Sequence, residues 1–378
     1  MNATGPNVIA NIDRLNAYLD RNDLAAVVAR SGENFTYLAG FAYPGTLARH
    51  LDLPDSNRGV LAVWPREGEP TLIVNATAAG LAQRDSWIES IEQNQGYLES
   101  PYEVLVRVLR DAGLDDKRVG FEKGYVSARD WERVTQALPD MTMVDCTVMM
   151  DQVRWIKTEG EIALLKRAAD LLDDAYFAVF PQLRPGDTER HAHALMMEAC
   201  LERGFGWAHG ILNSSTNTIP YAGESDVAFG AGDVIRTDYV AYLDGYPGHQ
   251  SRNAVFGEPS AEQMREYISI RDVYRATIDR CRPGARVADL YDFAVGAFEA
   301  DGWTFGSLLI GHSVGAWWHQ QEPILRSGSD VVLEEGMVLA LEPHIGHWHI
   351  QDMIVIRADG PELISDKFAT DEPYVIEI

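Results

Sequence analysis

Cysteine is scarce in this sequence, and no long hydrophobic run occurs. The three cysteines, Cys146, Cys200 and Cys281, are widely spaced and form no CxxC pair, which excludes a disulfide framework and a zinc finger. No stretch approaches the roughly 18 apolar residues of a membrane span. Residues 1–16 lack the basic segment and apolar run of a signal peptide. The sequence therefore predicts core thiols in a reducing compartment and a cytoplasmic protein.

Basic residues are also few. Lysine and arginine total 32 against 57 aspartates and glutamates, which gives a formal net charge of −25 at pH 7. So acidic a surface repels nucleic acids and anionic membranes. We therefore expect neither as a partner, and a small-molecule substrate is the expected ligand.

The pattern of the chain changes near residue 150. Its length of 378 residues suggests two or three domains. Residues 1–150 alternate amphipathic and β-branched segments, as in a mixed α/β domain. Residues 151–378 contain four long amphipathic helices and several strand-like runs, as in an α+β domain. Thr158 and Glu161 form a capping-box sequence at the start of the first of these helices. In the first domain, the polar segment 42–59 is predicted to be a long loop.

Four segments of the second domain concentrate polar residues that can carry chemistry. They are GDVIRTDYVAYLDGYPGHQSRNAVFG at 232–257, IGHSVGAWWHQQEP at 310–323, GMVLALEP at 336–343 and HIQDMIVI at 349–356. A carboxylate such as Asp238, placed mid-strand among apolar residues, is costly to bury unless something pairs with it. The candidate site residues in these segments are Asp238, His249, His312, His319, Glu342, Gln351 and Asp352.

The order and spacing of these segments resemble those of the creatinase, prolidase and aminopeptidase P family. The resemblance covers the whole second domain: GD…D…GY, then GHSVG…H…EP, then GMVLALEP, then QDMIV. In the first domain, YLAGF at 37–41 and the later RWIKTEGEI also fit the family. The resemblance implies an α/β N-terminal domain, 1–150, an α+β pita-bread catalytic domain, 151–378, and a homodimer.

The resemblance also implies a metal site, and this sequence departs from it. Metallopeptidases of the family hold two ions with Asp, Asp, His, Glu and Glu, and the matching positions are Asp238, His249, His312, Glu342 and Gln351. His249 and Gln351 replace the two carboxylates that bridge the ions. A neutral imidazole or amide does not bridge two divalent cations as a carboxylate does. A standard dinuclear peptidase, whose bridging hydroxide attacks the peptide carbonyl, is therefore not expected.

Two forms of the altered site remain open. In the first, His249, His312 and Glu342 hold one iron, manganese or zinc ion, with Asp238 or Gln351 nearby. In the second, no metal binds. By resemblance to creatinase and ectoine hydrolase, Glu342 would then bind an N–H group of the substrate or act as a base. His312 or His249 would transfer protons. In both, the expected reaction is hydrolysis of a C–N bond (amide, amidine or cyclic amide) in a small polar substrate.

Further residues are expected to act on the substrate. His319 matches a substrate-side histidine of the family and is predicted to be catalytic. Family members usually carry another catalytic histidine before the first Asp, where this chain has Tyr221 or Ala222. The segment 42–59 resembles a lid that reaches a neighbouring subunit, and His349 takes the place of a common arginine. The predicted substrate-binding residues are Tyr221, Trp318, Gln351, Arg49 and His349.

Three other functions remain open from the sequence. A His/His/Glu site with free coordination positions also suits a lyase or an iron-dependent oxygenase or oxidase. The family resemblance keeps an Xaa-Pro dipeptidase in consideration. Some pita-bread proteins have lost their ligands and only bind partners, but polar groups at all five positions argue against such a non-catalytic protein.

Overall fold

The computed structural model describes residues 9–219 and 223–378. The chain forms two compact units. The first runs to Arg154 and also contains Ala316–Trp318, and the second contains Trp155–Gly315 and His319–Ile378.

The first unit is built on a mixed six-stranded sheet. Its strands are β1 (Ala26–Ala29), β2 (Leu61–Pro65), β3 (Thr71–Asn75), β4 (Ser90–Asn94), β5 (Arg118–Phe121) and β6 (Thr142–Asp145), in the order β4-β3-β2-β1-β5-β6. Strand β2 pairs antiparallel with β1 and β3, and the other pairs are parallel. The helices are α1 (Ile12–Arg21), α2 (Gly32–Ala39), α3 (Gly45–Asp52), α4 (Ala79–Asp85), α5 (Pro101–Asp111), α6 (Ala128–Ala137) and α7 (Thr147–Trp155).

The segment 42–59 is not the uninterrupted loop that its polar composition predicts, because α3 lies within it. That prediction is wrong. Leu47 and Leu51 are four residues apart and so lie on one helical face, and both are buried. These two leucines pack α3 against the rest of the first unit, whereas Arg49 of the same helix is exposed to solvent.

A short segment from the second half of the chain, Ala316–Trp318, packs with the first unit. Trp317 has a φ of +70°, and its indole N–H donates to Asp52 Oδ1 at 2.8 Å. A Cβ at Gly32 would lie 2.1 Å from the Trp317 indole. Glycine at position 32 is therefore what lets the indole lie so close to α2.

The described residues of the second unit form four α-helices and largely antiparallel sheets. The helices are α8 (Glu159–Val179), α9 (Glu189–Glu202), α10 (Ala261–Ile278) and α11 (Val287–Ala300). The strands are β7 (Trp207–Ser214), β8 (Val234–Leu243), β9 (Tyr246–Gln250), β10 (Asn253–Phe256), β11 (Gly311–Ser313), β12 (Gln321–Ile324), β13 (Val338–Leu341), β14 (His344–Ile345), β15 (Trp348–His349), β16 (Asp352–Arg357), β17 (Gly360–Leu363) and β18 (Tyr374–Ile376). The capping box predicted at Thr158 and Glu161 is confirmed.

Two five-stranded sheets organise this unit. The first has the order β18-β10-β8-β7, with β9 also paired to β8, and the second has the order β12-β11-β13-β16-β17. Among the described strand pairs of this unit, β10–β18 is the one parallel pair. Helices α8 and α9 share one apolar core with β7 and β8, and α10 and α11 share another with β13 and β16. Among the described residues, no helix combines the length and apolarity needed to cross a bilayer.

A buried arginine ties three parts of the second unit together. The guanidinium of Arg252 forms ion pairs with Asp173 of α8 at 3.0 Å and with Asp352 of β16 at 2.9 Å. It also donates to the backbone carbonyls of Ser251, Gln351 and Ser365. Arg252 and Asp173 are at most 1% exposed. The network therefore fixes β16, and with it Gln351, against α8.

Candidate functional site

One face of the sheet around β8 carries a row of polar side chains. Alternate residues of a strand point to the same face, so Arg236, Asp238 and Val240 share one. His249 of β9 pairs with Val240, and Asn253 of β10 pairs with Arg236. Strand pairing therefore brings residues from three strands to the face that lies away from the apolar core of α8 and α9.

Three side chains from separate strands meet at this face. His249 lies on β9, His312 on β11 and Glu342 directly after β13. One ligand atom of each lies within 4.8 Å of the others. The two Nε2 atoms are 3.3 Å apart, and His312 Nε2 is 3.7 Å from Glu342 Oε1. These three buried residues are called the His/His/Glu group below.

A backbone carbonyl orients each imidazole of the group. His312 Nδ1 lies 2.9 Å from the Ser313 carbonyl oxygen, and His249 Nδ1 lies 3.3 Å from that of Tyr239. Because a carbonyl only accepts, each Nδ1 carries the proton and each Nε2 presents a lone pair. The two Nε2 lone pairs face each other at 3.3 Å, and a bound cation would offset their repulsion. This donor set fits one zinc, manganese or ferrous ion.

Burial keeps both imidazoles in the neutral form that binds metals. It lowers the pKa of His312 to about 4. It also lowers the pKa of His249 well below its usual value, and the neighbouring His319 and His312 lower it further. Metal binding at this group therefore needs no loss of protons from the imidazoles near neutral pH.

The two carboxylates of the site are poorly accommodated as anions. Burial raises the pKa of Glu342 well above its usual range, and the charge of Asp238 raises it further, while Arg236 lowers it. Burial also raises the pKa of Asp238 to about 6, again opposed by Arg236. Asp238 Oδ1 lies 3.8 Å from His249 Nδ1 and has no hydrogen-bond partner within residues 9–219 and 223–378. A bound cation would supply the charge that favours both anions.

His319 lies against the imidazoles of the His/His/Glu group. Its ring centroid is 4.6 Å from that of His249 and 5.8 Å from that of His312. The Tyr242 hydroxyl lies 3.1 Å from His319 Nδ1. Burial, together with repulsion from His312 and His209, lowers the pKa of His319 to about 2. His319 is therefore a neutral imidazole beside the group.

His349 and Gln351 lie on the other side of Glu342. His349 Nε2 is 3.6 Å from Glu342 Oε2, whereas Oε1 of the same carboxylate faces His312. The Ser251 hydroxyl donates to Gln351 Oε1 at 2.9 Å. Gln351 and His349 are fully buried, and Gln351 Nε2 has no acceptor in the part of the chain that the structure describes.

Comparison with known proteins decides the family. Residues 163–358 match metallopeptidase family M24, and residues 11–156 match the creatinase/prolidase N-terminal domain. The chain belongs to metallopeptidase family M24. An Xaa-Pro dipeptidase of Lactobacillus delbrueckii subsp. lactis is 26% identical over 93% of this chain and 95% of its own length.

Solved structures of two peptidases share the fold over at least 94% of this chain. The X-Pro aminopeptidase of Thermotoga maritima MSB8 has a TM-score of 0.80 at 21% identity, covering 94% of this chain and 99% of its own. The Xaa-Pro dipeptidase of Bacillus anthracis has a TM-score of 0.79 at 21% identity, covering 97% and 99%. The predicted family, the two-part pita-bread fold and the class of hydrolases acting on C–N bonds are confirmed.

The remaining predicted site residues are not part of the cluster within the second unit. Arg49 is exposed on α3, and Trp318 is 41% exposed in the segment that packs with the first unit. Tyr221 lies outside the described residues. The cluster therefore comprises Asp238 and His249, with the later residues His312, His319, Glu342, His349 and Gln351.

The sequence motifs do not include Arg236, which is buried on the same face as Asp238. Its charge acts on both Asp238 and Glu342. A signal for it was available: a charged residue two positions before Asp238, in a strand that is otherwise largely apolar, must share the face of Asp238.

Gly248 allows α8 to approach the strand that carries His249. A Cβ at this position would lie 2.5 Å from the Ala168 carbonyl oxygen. Replacing Gly248 with alanine is therefore expected to lower the free energy of unfolding by about 1–3 kcal/mol, as over-packing does, measured by urea denaturation. Gly296→Ala is the matched control, because its Cβ would meet no atom within 4 Å. Equal stabilities of the two variants would contradict the close contact.

Proposed function

We propose that this chain hydrolyses a C–N bond in a small polar substrate, using one divalent metal ion held by His249, His312 and Glu342. The observation that carries the proposal is the convergence of two neutral imidazole Nε2 atoms and a carboxylate within 4.8 Å. Membership of family M24 supports the reaction class. The bond is an amide, an amidine or a cyclic amide.

The side chains around the group have separable tasks in this proposal. A bound divalent ion supplies a Lewis acid and lowers the pKa of water. The Ser313 and Tyr239 carbonyls hold the two imidazoles in the ligand tautomer. The Tyr242 hydroxyl, 3.1 Å from His319 Nδ1, fixes the orientation of that ring beside the group. Asp238 Oδ1 is an acceptor for an N–H or O–H group of the reactants.

A second candidate is an Xaa-Pro dipeptidase that uses two ions. It is favoured by relatives of that name that match over 93% of this chain. Against it stand His249 and Gln351, which occupy the positions of the bridging carboxylates implied by the family resemblance. The amide oxygen of Gln351 already accepts a hydrogen bond from the Ser251 hydroxyl, which makes that side chain unsuitable for bridging two metal ions.

Metal analysis of protein purified without added metal tests the proposal. We expect about one ion per chain, as in mononuclear sites with three protein ligands. We also expect release of amine or ammonia from small amides or amidines in a substrate panel, or ring opening of cyclic amides to a product with a new amino group. Less than about 0.1 ion per chain, with no activity gained on adding iron, manganese or zinc, would contradict it. About two ions per chain with cleavage of Ala-Pro would favour the dipeptidase.

Oxygen uptake separates the proposal from redox chemistry at the same group. Substrate-dependent oxygen consumption would indicate an iron-dependent oxygenase or oxidase, and an unsaturated product without water uptake would indicate a lyase. The homodimer and the cytoplasmic location stay predictions, the first from the family resemblance and the second from composition.

A further inference from the structure

Ser313, whose backbone carbonyl orients His312, lies at an irregularity of the sheet. His312 of β11 pairs with Ile324 of β12. The next residue, Ser313, pairs with Gln321, so the register between the two strands shifts at this point. The carbonyl oxygen of Ser313 lies 2.9 Å from His312 Nδ1. Irregularities of this kind re-aim side chains beside active sites. A contact that fixes Ser313 therefore also fixes the ring of His312.

The side chain of Ser313 is held at two points. Lys157 Nζ donates to Ser313 Oγ at 2.8 Å, and Ser313 Oγ donates to the carbonyl oxygen of Val338 at 3.2 Å. The hydroxyl thus uses a lone pair for the ammonium and its proton for β13. Successive side chains of a strand point to opposite faces. This anchor therefore lies on the face of β11 opposite to the imidazole of His312.

Lys157 is a buried cation to which the proposed function gives no task. It is 5% exposed. Its backbone N–H donates to the Gly336 carbonyl oxygen at 2.9 Å, and the preceding Ile156 forms an antiparallel bridge with Met337. These contacts fix the backbone of Lys157 next to the residues that lead into β13. A hydrogen bond from an ammonium is stronger than one between neutral groups, so Lys157 is a firm anchor for Ser313.

We propose that Lys157 is a positioning residue for His312. Its ammonium holds Ser313, whose carbonyl keeps the imidazole in the tautomer that presents Nε2 to the metal. The inference deepens the proposed function, on which its metal-binding part rests, because His312 belongs to the His/His/Glu group. Lys157 touches neither substrate nor metal in this scheme. It acts as outer support for a ligand, and loss of such support costs about 10- to 100-fold in metal affinity or activity.

The tautomer of His312 in the metal-free full chain tests the inference without metal or turnover. Long-range proton–nitrogen NMR spectra of isotope-labelled histidines distinguish the Nδ1–H form from the Nε2–H form, and His312→Ala identifies the signal. We expect the Nδ1–H form to dominate in the unaltered chain near neutral pH. Lys157→Met should lower the ratio of Nδ1–H to Nε2–H by about 3- to 10-fold, the scale of losing one hydrogen bond.

Competition with a chelator measures the effect on the metal-loaded chain. Lys157→Met should weaken metal binding by about 10- to 100-fold. Ser313→Ala is a smaller change that removes the hydroxyl through which Lys157 acts, and it should also weaken binding. Adding Lys157→Met to Ser313→Ala should cause little further loss, because the two residues act along one path. Lys367→Met replaces an exposed lysine of the same unit and should change neither the tautomer ratio nor the affinity.

The outcomes separate this inference from the proposed function. A dominant Nε2–H form in the unaltered chain, an unchanged ratio in folded Lys157→Met, or additive effects of the two changes overturns the positioning role. A loss of stability in urea with an unchanged ratio also overturns it, because Lys157 is then structural only. If Lys157→Met does not fold, an unchanged ratio in Ser313→Ala overturns it. If the unaltered chain binds no metal but Lys157→Met shifts the ratio, the positioning role stands and the mononuclear function fails.

Discussion

Replacing His249 with alanine is expected to remove the metal and abolish turnover. His249 supplies one of three ligands, and its Nε2 lies 3.3 Å from that of His312. Loss of a group that merely orients a ligand costs about 10- to 100-fold in metal affinity or activity, so loss of the ligand should cost more than about 100-fold. Metal analysis after dialysis, and amine release from the substrate found in the panel, measure the two effects.

The exposed His347, in the turn between β14 and β15, provides the matched control. His347→Ala should keep its metal and its turnover, because it removes an imidazole from the same unit without touching the group. Unchanged metal content and unchanged turnover in His249→Ala would show that the His/His/Glu group is not the site. Circular dichroism of both variants excludes unfolding as the cause.

Replacing Arg252 with methionine is expected to lower the free energy of unfolding by about 3–5 kcal/mol, which is the usual cost of removing one partner of a buried ion pair. Two carboxylates, Asp173 and Asp352, would lose their cation while remaining buried. Burial already raises the pKa of Asp173 despite the opposing charge of Arg252. Urea denaturation followed by circular dichroism measures the loss.

Two further variants make the Arg252 result specific. Arg326→Met removes an exposed arginine and should change stability by less than about 0.5 kcal/mol. Adding Asp173→Asn to Arg252→Met should cost less than the sum of the single changes, because one uncompensated charge disappears. A loss below about 1 kcal/mol for Arg252→Met would mean that the ion pairs contribute little to the fold.

Much of the fold could be predicted from the sequence because its helices are amphipathic and their ends are marked. Thr158 with Glu161 and Ser260 with Gln263 both form capping boxes in the structure. The sequence predicts a loop at 42–59 because, among the described side chains of α3, Leu47 and Leu51 alone are buried apolar residues. Two apolar residues in a polar segment are too few to reveal a helical period, and packing against the unit supplies the rest.

The site was predictable in its residues but only partly in its arrangement. The motifs named Asp238, His249, His312, Glu342 and Gln351, and the structure brings the middle three within ligand distance. Which atoms face each other depends on carbonyls that orient the rings, and no spacing along the chain encodes that. The altered, mononuclear character of the site stays a prediction.

The sequence by itself determined the family, the two-part architecture and the residue types at the five ligand positions, because motifs and periodicity are local properties of the chain. Only the tertiary structure decided that His249 and His312 present facing lone pairs, that Glu342 lies between His312 and His349, and that Arg236 is buried near them. These relations depend on the register of strands far apart in sequence, and burial then shifts the charge states of the side chains that the register brings together.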